Sequence, residues 1–372
     1  MAKPRILIFS LAYFPFVGGA EVAVKEITDR LPEFEFELVT VNLDGKQERV
    51  ERVGNCTIYR LGSGPKSKYA FPRLAYHWAV ERHQAEPFHL TWAIMANQAA
   101  MAAAWFKKAC PTIPYLLTLQ EGDEVTSLAY RLRLWGPKLA GVFRRADAAQ
   151  AISYFLAAWG KRMGVTGPIT VVPNGVDLEK FVIRSPVTKV RPNGRTTLIT
   201  TSRLVKKNGI ADLIGSLAFL PATVNLKIYG IGPEEAALRR LASKLGISER
   251  VIFAGQAHHT ELAQALANAD IFVRPSLSEG LGNSFLEAMA VGLPVVGTPV
   301  GGIPDFLHAN ETGWLCRVGD PASIAEQVRE IIDPANQEKV ERITKQGQEL
   351  ARRDYSWEKV AGEMKKVFSD LI

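Results

Sequence analysis

Short apolar segments that alternate with helical patterns constrain the fold of this chain most strongly. In the first half, RILIFS is followed by a glycine loop and then by AEVAVKEITDRL, in which apolar residues recur at helical spacing. FELVTVNL, FHLTWAI, PYLLTLQ, AAQAIS and ITVVPNG are further apolar runs without regular polar alternation. Such runs are typical of strands that are buried on both faces of a parallel sheet.

The same alternation restarts after residues 184–195, a polar segment with two prolines and a glycine that we interpret as a linker. The predicted strands there are TTLITTSRL, VNLKIYG, VIFAG, DIFVRPS and PVVGT. The chain has 372 residues, which is long for one hydrophobic core. We therefore predict an α/β protein with two doubly wound domains, one over residues 1–183 and one over 190–352. A C-terminal amphipathic helix at about 357–372 is expected to pack back on the first domain.

Doubly wound sheets bind ligands at the carboxyl ends of their strands. With two such sheets, we predict an active site in the cleft between the domains. The three cysteines, Cys56, Cys110 and Cys316, are far apart and odd in number, which indicates a reducing compartment and neither a disulfide framework nor a zinc site. No uninterrupted apolar stretch reaches the length of about 18 residues that a transmembrane helix needs. We therefore expect a cytoplasmic protein.

Two loops in the first half carry candidate site residues. Gly18 and Gly19 precede a helix, where bare backbone N–H groups could receive an anion; a tight turn without a ligand is the alternative. Gln120, Glu121 and Asp123 follow the predicted strand PYLLTL. They either face a ligand at the strand end or are ordinary polar residues of a surface loop.

In the second half, Arg203, Lys206 and Lys207 directly follow a predicted strand. A guanidinium and ammonium groups at a strand end could neutralise a diphosphate, and a solvated basic loop is the alternative. A Walker A sequence is absent, which argues against a P-loop nucleotidase. GIGPEE at 230–235 matches only the first half of a dinucleotide-binding fingerprint.

The segment SEGLGNSFLEAMAVGLP, residues 278–294, contains two glutamates with seven residues between them. Its glycines make one continuous helix from Glu279 to Glu287 improbable, and we expect the helix to begin near Ser284. Ser284 and Glu287 then have the spacing of a capping box, which is a purely structural explanation for Glu287. Glu279 has no such explanation, because it lies between a strand end and flexible glycines.

Taken together, these motifs resemble the retaining GT-B glycosyltransferases of the family 4, or group 1, type. FVGGAEVAV is similar to the first glycine loop of that family, and VVPNGVDLEKF to its interdomain segment. SRLVKKNGIADLI is similar to its diphosphate loop, and YGIGPEEAAL and VIFAGQAHHTEL to its nucleotide-contact segments. RPSLSEGLGNSFLEAMAVGLPVVGTPVGGIPD resembles its E-x7-E region. The resemblance spans nearly the whole chain and is densest from 196 to 318.

The resemblance implies a donor site in the second domain. Glu287 would hydrogen-bond the ribose of a nucleotide sugar, Glu279 the donor sugar, and Arg203 the diphosphate. Glu279, Arg203 and Lys207 are therefore the predicted catalytic residues. The predicted donor-binding residues are Gly18, Gly19, Asn208, Gly230, Gly280, Leu281, Gly282, Asn283 and Glu287.

The resemblance also implies the reaction. A hexose would be transferred, with retention of the anomeric configuration, from a UDP- or GDP-sugar co-substrate to a glycan, polysaccharide or lipid-linked acceptor. Neither a metal ion nor another cofactor is expected, and no Asp-x-Asp motif is present to hold a metal. Gln120, Asp123 and Asn174 are the candidate residues for contacts with the sugar or the acceptor.

Two positions depart from the family pattern. A basic residue usually stands five residues after the diphosphate-binding arginine, and that position here is Asn208. We expect Lys206 or Lys207 to replace it, or the diphosphate to be held less tightly. The first-domain loop often carries a histidine that faces the donor sugar, and that position here is Gln120, which cannot titrate.

Residues 130–146 form a basic segment in which Arg131, Arg133, Lys138, Arg144 and Arg145 alternate with Leu, Trp135 and Phe143. This pattern is compatible with peripheral association with an anionic membrane surface on its inner face, or with an ordinary pair of surface helices. No nucleic-acid partner is expected. The alternative functions are a nucleotide-sugar 2-epimerase of the same fold and a non-catalytic nucleotide-sugar binder. A phosphorylase would need a pyridoxal lysine, for which we find no support.

Overall fold

A computed structural model describes residues 3–122, 141–181 and 194–372. The chain forms two compact units, Met1–Asn174 together with Trp357–Ile372, and Gly175–Ser356. The boundaries therefore differ from those drawn at residues 183, 190 and 352. The reason is a backbone contact: the N–H of Val176 donates to the carbonyl of Tyr355 at 2.7 Å. This contact ties the chain to the second unit immediately after Asn174.

The first unit contains an eight-stranded sheet with the order β3-β4-β2-β1-β5-β6-β7-β8. All neighbouring strands are parallel except β3 and β4, which are antiparallel. The sequence analysis did not identify this pair, because the side chains of β4 alternate between buried and half-buried as they do at a sheet edge. The strands are β1 Arg5–Phe9, β2 Glu35–Val41, β3 Val50–Val53, β4 Cys56–Leu61, β5 Leu90–Ile94, β6 Tyr115–Leu119, β7 Ala148–Ala151 and β8 Ile169–Val171.

Helices lie between β1 and β2, between β4 and β5, between β5 and β6 and between β7 and β8 in the chain, whereas β3 lies between the parallel strands β2 and β4. The strands β1, β5 and β6 are buried along their whole length, as the continuous apolar runs predict. The side chain of Asn97 accepts a hydrogen bond from the N–H of Ala99 and so caps the helix that follows β5. The helices are α1 Gly19–Asp29, α2 Ser67–Ala85, α3 Gln98–Ala109 and α4 Tyr154–Arg162.

The second unit contains a six-stranded parallel sheet with the order β11-β10-β9-β12-β13-β14. The chain runs from β9 to β10 and β11 on one side, and β12 then pairs with the other side of β9, with Leu198 beside Ile271. β9 and β12 thus flank the point at which the strand order reverses. The strands are β9 Thr196–Thr201, β10 Val224–Tyr229, β11 Val251–Gly255, β12 Ile271–Arg274, β13 Val295–Gly297 and β14 Trp314–Leu315, the last of which the sequence analysis missed.

Buried residues of the second sheet and of the helices around it form one hydrophobic core. The helices are α5 Ile210–Ser216, α6 Glu235–Lys244, α7 His259–Ala267, α8 Asn283–Ala290, α9 Pro321–Ile332 and α10 Gln337–Asp354. The prediction of two parallel-sheet α/β domains is confirmed.

The C-terminal helix α11, Trp357–Leu371, belongs to the core of the first unit. Its buried residues recur at helical spacing. The ring centroid of Phe368 lies 5.1 Å from that of Trp92 and 5.8 Å from that of Phe34. These edge-on contacts attach the end of the chain to the first sheet.

The Phe368→Ala substitution tests this attachment. We expect the first unit to lose about 3–5 kcal/mol of unfolding free energy, because the change leaves a cavity against buried aromatic rings. Urea unfolding followed by circular dichroism measures the loss. Phe219→Ala, at a side chain that is 53% exposed, is the matched control and is expected to change little. Equal midpoint shifts for the two variants would contradict the proposed packing.

Candidate active site

The loops after β9 and β12 lie where the strand order of the second sheet reverses. We call residues 202–209 loop A and residues 275–282 loop B. The crevice outside the carboxyl ends of such strands is where doubly wound sheets bind ligands. Loop A contains Arg203, Lys207 and Asn208, and loop B contains Glu279. The structure thus brings together four residues that are 76 positions apart at most in the chain, as the alternation of strands and helices predicts.

Backbone contacts join the two loops. The N–H of Leu277 in loop B donates to the carbonyl of Lys207 in loop A at 2.6 Å. Gly209 has a φ of +66°, and a Cβ atom there would lie 1.9 Å from the carbonyl oxygen of Pro275. Only glycine allows so close an approach. Loops A and B therefore form one continuous surface.

The side chain of Arg274, the last residue of β12, links this surface to the helix behind it. Its guanidinium donates to Oδ1 of Asn208 at 3.0 Å and to Oγ of Ser284 at 2.8 Å. It also forms an ion pair with Oε2 of Glu279 at 2.5 Å. Asn208 in turn donates through Nδ2 to the carbonyl of Arg203 at 2.7 Å. One buried cation thus contacts loop A, loop B and the first turn of α8.

Glu279 is buried and paired rather than free. Oε1 accepts the N–H of Gly280 at 3.1 Å, while Oε2 is held by Arg274. Its main chain packs against Gly301, where a Cβ atom would lie 1.7 Å from the carbonyl oxygen of Glu279. The sequence analysis missed both neighbours. An arginine at the end of an apolar strand and the glycine pair in PVGGIPD were the available signals.

The predicted capping box at Ser284 and Glu287 is wrong. Helix α8 begins at Asn283, and its N-cap is Gly282, which has a left-handed φ of +96° and makes no side-chain cap. The hydroxyl of Ser284 accepts its hydrogen bond from Arg274 instead. Glu287 therefore lies beyond the third position of the helix, and the purely structural explanation for its carboxylate no longer applies.

The carboxyl group of Glu287 has an unusual protonation equilibrium. Burial raises its pKa to about 7, and the charge of Arg274 opposes that rise. In the part of the chain that the structure describes, we find no hydrogen bond to this carboxyl group. Glu287 can therefore accept hydrogen bonds from a ligand.

The cations of loop A differ in exposure. The side chains of Arg203 and Lys206 are exposed, and that of Lys207 is half-buried. Arg203 makes no side-chain hydrogen bond or ion pair with any residue that the structure describes. Its five N–H donors are therefore available to an anion.

The remaining residues of the predicted donor set support these loops through the backbone. Gly230 follows β10, and its N–H donates to the carbonyl of Gly255 at 2.7 Å. Gly280 and Leu281 are buried, whereas Asn283 is half-buried at the first position of α8. Helix α8 thus begins directly after loop B.

In the first unit, Gly18 is the N-cap of α1, and Gly19 is its first residue. The N–H of Gly18 donates to Oε2 of Glu21 at 2.7 Å. Burial raises the pKa of Glu21, and the backbone N–H groups of Glu21 and Gly18 oppose that rise. The helix start is thus closed by a side chain of its own first turn, which is the arrangement of a tight capping turn.

The predicted sugar or acceptor residues of the first unit lie near the ends of its strands. Gln120 is half-buried after β6, and its N–H donates to Oε2 of Glu121 at 2.9 Å. Glu121 also accepts the N–H of Ala96, which follows β5, at 2.5 Å. Asn174 is buried at the end of this unit. Asp123 lies outside the described residues.

Most of the basic segment 130–146 also lies outside them, including Arg131, Arg133, Trp135 and Lys138. Of the described part, Arg144 and Arg145 are exposed. Phe143 is fully buried, with its ring centroid 5.4 Å from that of Trp159, so this side chain belongs to the core and not to an interfacial face.

The described residues contain neither a metal-binding cluster nor a membrane-spanning helix. Within residues 3–122, 141–181 and 194–372, no group of three or more His, Cys, Asp or Glu side chains could hold a metal ion. No helix in the same ranges is long and apolar enough to cross a membrane.

Glu287 gives the second unit a pH-dependent stability. Because its folded pKa lies above the ordinary value of 4.5, the folded state binds more protons between about pH 4.5 and pH 7, and stability falls as pH rises through this window. Full ionisation should cost about 3 kcal/mol. Glu287→Gln removes the cost, so its advantage in melting temperature over the wild-type protein should grow from pH 5 to pH 8.

The exposed Glu338 provides the control for this measurement. Melting curves of Glu338→Gln and of the wild-type protein should stay parallel across the pH series. If Glu287→Gln also stays parallel to the wild-type protein, the raised pKa of Glu287 is refuted.

Comparisons with known proteins match both units. The family described as Glycosyl transferases group 1 matches residues 184–350, and that described as Glycosyl transferase 4-like domain matches residues 18–175. N-acetyl-alpha-D-glucosaminyl L-malate synthase of Bacillus anthracis is 25% identical over 386 residues, which cover 98% of this chain and 97% of that protein.

Solved structures share the fold. Sucrose-phosphate synthase from Thermosynechococcus elongatus has a TM-score of 0.83 at 21% identity and covers 100% of this chain and 99% of its own. HepE of Anabaena in complex with UDP-glucose has a TM-score of 0.80 at 19% identity, covering 98% and 99%. The two family matches together cover most of both units, and the solved structures share the GT-B fold. The chain therefore belongs to the group 1, or family 4, glycosyltransferases and is an enzyme of that class.

Proposed function

We propose that the protein transfers a hexose from a nucleotide-diphosphate sugar to a glycan, polysaccharide or lipid-linked acceptor. The transfer proceeds with retention of the anomeric configuration and without a metal ion. One observation carries the proposal. Loops A and B, joined at the switch point of the second sheet, place the available guanidinium of Arg203 and the carboxylates of Glu279 and Glu287 on neighbouring segments.

The cations of loop A suit a diphosphate leaving group. Negative charge builds on the outer phosphate as the bond to the sugar breaks, and fixed positive groups stabilise that charge most effectively. A guanidinium can hold two phosphate oxygens at once, and Arg203 has no competing partner in the described structure. In this proposal, Arg203 and Lys207 fill the role that a metal ion has in other transferases, with the N–H groups at the start of α8 beside them.

The carboxylates of loop B and α8 suit the hydroxyl groups of the donor. In the proposal, Glu279 accepts hydrogen bonds from the donor sugar, and Glu287 accepts them from the ribose. The ion pair with Arg274 holds the Glu279 carboxylate in one orientation, which favours the positioning of a bound sugar. Gly280, Leu281, Gly282 and Asn283 supply the backbone around these contacts.

In the proposal, the transfer step needs only the donor and the acceptor. The bond from the anomeric carbon to the phosphate oxygen breaks, and the acceptor oxygen bonds to the same face of that carbon. The proton of the acceptor hydroxyl goes to the leaving phosphate oxygen. Retention then needs no protein nucleophile, and Gln120, which cannot titrate, is compatible with this route.

The related solved structure of HepE contains UDP-glucose, which supports a nucleotide sugar as the donor of this chain. We propose UDP or GDP as its nucleotide. A 2-epimerase would use the same site but would convert the donor sugar without any acceptor. A non-catalytic binder would bind the donor and release no nucleoside diphosphate.

A thermal-shift series with UDP, GDP, uridine and guanosine tests the donor site. We expect one diphosphate to raise the melting temperature, since a ligand that binds only the folded state stabilises it. Arg203→Met should remove most of the extra shift of the diphosphate over its nucleoside. Arg317→Met, at an arginine that pairs with Asp320 on the surface, should not. The absence of any shift with either diphosphate in the wild-type protein would refute the proposal.

Glu279→Gln tests the role of the first carboxylate. Release of nucleoside diphosphate from the donor, with water as a slow acceptor, should fall by about 100-fold or more, because the charge that orients the sugar is lost. Affinity for the nucleotide should stay within a few-fold of the wild-type value. Glu338→Gln is the control.

Three results would contradict the role of Glu279 or the proposed transfer reaction. Unchanged turnover in folded Glu279→Gln protein refutes the role of Glu279. A wild-type protein that binds the donor and never releases the diphosphate is a binder. One that converts the donor sugar without an acceptor is a 2-epimerase.

A further inference from the structure

We propose that Arg274 is a positioning residue of the donor site and supplies, from the end of β12, the positive charge that loop A lacks at Asn208. The inference rests on the proposed function. In the family pattern described above, a basic side chain at position 208 helps to neutralise the diphosphate. Here we assign that role to the buried guanidinium of Arg274.

The hydrogen bonds of Asn208 fit a positive charge at position 274 in place of one at position 208. Its Oδ1 accepts from Nη2 of Arg274 at 3.0 Å, and its Nδ2 donates to the carbonyl of Arg203 at 2.7 Å. A lysine has three donors and no acceptor, so it could not receive Arg274. Two cations at this separation would also repel each other. Asparagine at 208 and arginine at 274 thus form a matched pair that places one charge between loops A and B.

The charges around Arg274 explain why a cation is needed there. Glu279 is buried in direct contact with the guanidinium, and Glu287 lies within the range of its field. Both carboxylates lie on segments that adjoin the proposed diphosphate site, where unbalanced negative charge would repel the ligand. Arg274 offsets them, so that Arg203 acts on the diphosphate and not on the carboxylates.

The geometry of Arg274 favours positioning over simple packing. Its three side-chain partners belong to loop A, loop B and α8, and a planar guanidinium fixes their relative orientation as a flexible ammonium could not. Nε of Arg274 is buried without a hydrogen-bond partner in the described structure. Buried polar atoms normally have a hydrogen-bond partner. The three contacts therefore fix the orientation of this guanidinium even though one of its nitrogens makes no hydrogen bond.

The test compares the affinity for a nucleoside diphosphate with that for its nucleoside. The probes are UDP and uridine, or GDP and guanosine, whichever pair the wild-type protein binds, and isothermal titration calorimetry measures both dissociation constants. Their ratio reports the contribution of the diphosphate and is insensitive to a general loss of folded protein. We expect Arg274→Leu to lower the ratio at least tenfold and Arg274→Lys to lower it severalfold. Arg317→Leu should leave it unchanged.

The double variant Arg274→Leu with Asn208→Lys separates charge from packing. If a positive charge at position 208 can replace the one at position 274, the double variant should recover an affinity ratio within about threefold of the wild-type value. A tenfold loss in Arg274→Leu that the double variant does not recover overturns this replacement. Should Arg274→Leu fail to fold because Glu279 is left unpaired, Arg274→Lys decides: a severalfold loss supports the proposal, and an unchanged ratio overturns it.

The outcomes for this inference and for the proposed function are distinct. A wild-type protein that binds neither UDP nor GDP refutes the donor site and the role of Arg274 together. A wild-type protein that binds one of them, with the same ratio in folded Arg274→Leu or Arg274→Lys, keeps the donor site and refutes only the role of Arg274.

Discussion

The contact between the guanidinium of Arg274 and the carboxylate of Glu279 is the interaction on which the candidate site depends. Both groups are buried, and removing one partner of such a pair typically costs about 3–5 kcal/mol because the other charge is left without compensation. The same guanidinium reaches Asn208 and Ser284. One side chain therefore contacts loop A, loop B and the start of α8, in addition to the backbone contacts between the loops.

The parallel sheet provides the place for this contact. β9 and β12 are neighbours in the sheet although many residues separate them in the chain. The loops that follow them meet without having to fill the interior of the unit. Most of the predicted donor-site side chains are thus carried by loops, while the strands beneath are buried for most of their length, which is the usual division of roles in doubly wound folds.

The sequence predicted the features that depend on local pattern and missed those that depend on distant contacts. Continuous apolar runs identified the central strands, but the edge pair β3 and β4 has alternating burial and was overlooked. The spacing of Ser284 and Glu287 indicated a capping box, yet the helix has a left-handed Gly282 as its N-cap, two residues earlier, and the serine hydroxyl binds Arg274 instead. Arg274 itself was missed although Glu279 lies five residues on, and its contact with Asn208 spans 66 residues. No spacing rule reveals a contact of that range.

The two glycines pressed against loop B have a further consequence. At Gly209 and Gly301 the neighbouring carbonyl oxygen leaves no room for a Cβ atom, so the shape of the surface is determined by main chain. Side chains on that surface can then be exchanged without remodelling the loops. A site built in this way can change its ligand chemistry in small steps while its architecture stays constant. Any substitution of Gly209 or Gly301 should accordingly disturb the backbone of this surface, because a Cβ atom there meets a main-chain carbonyl oxygen.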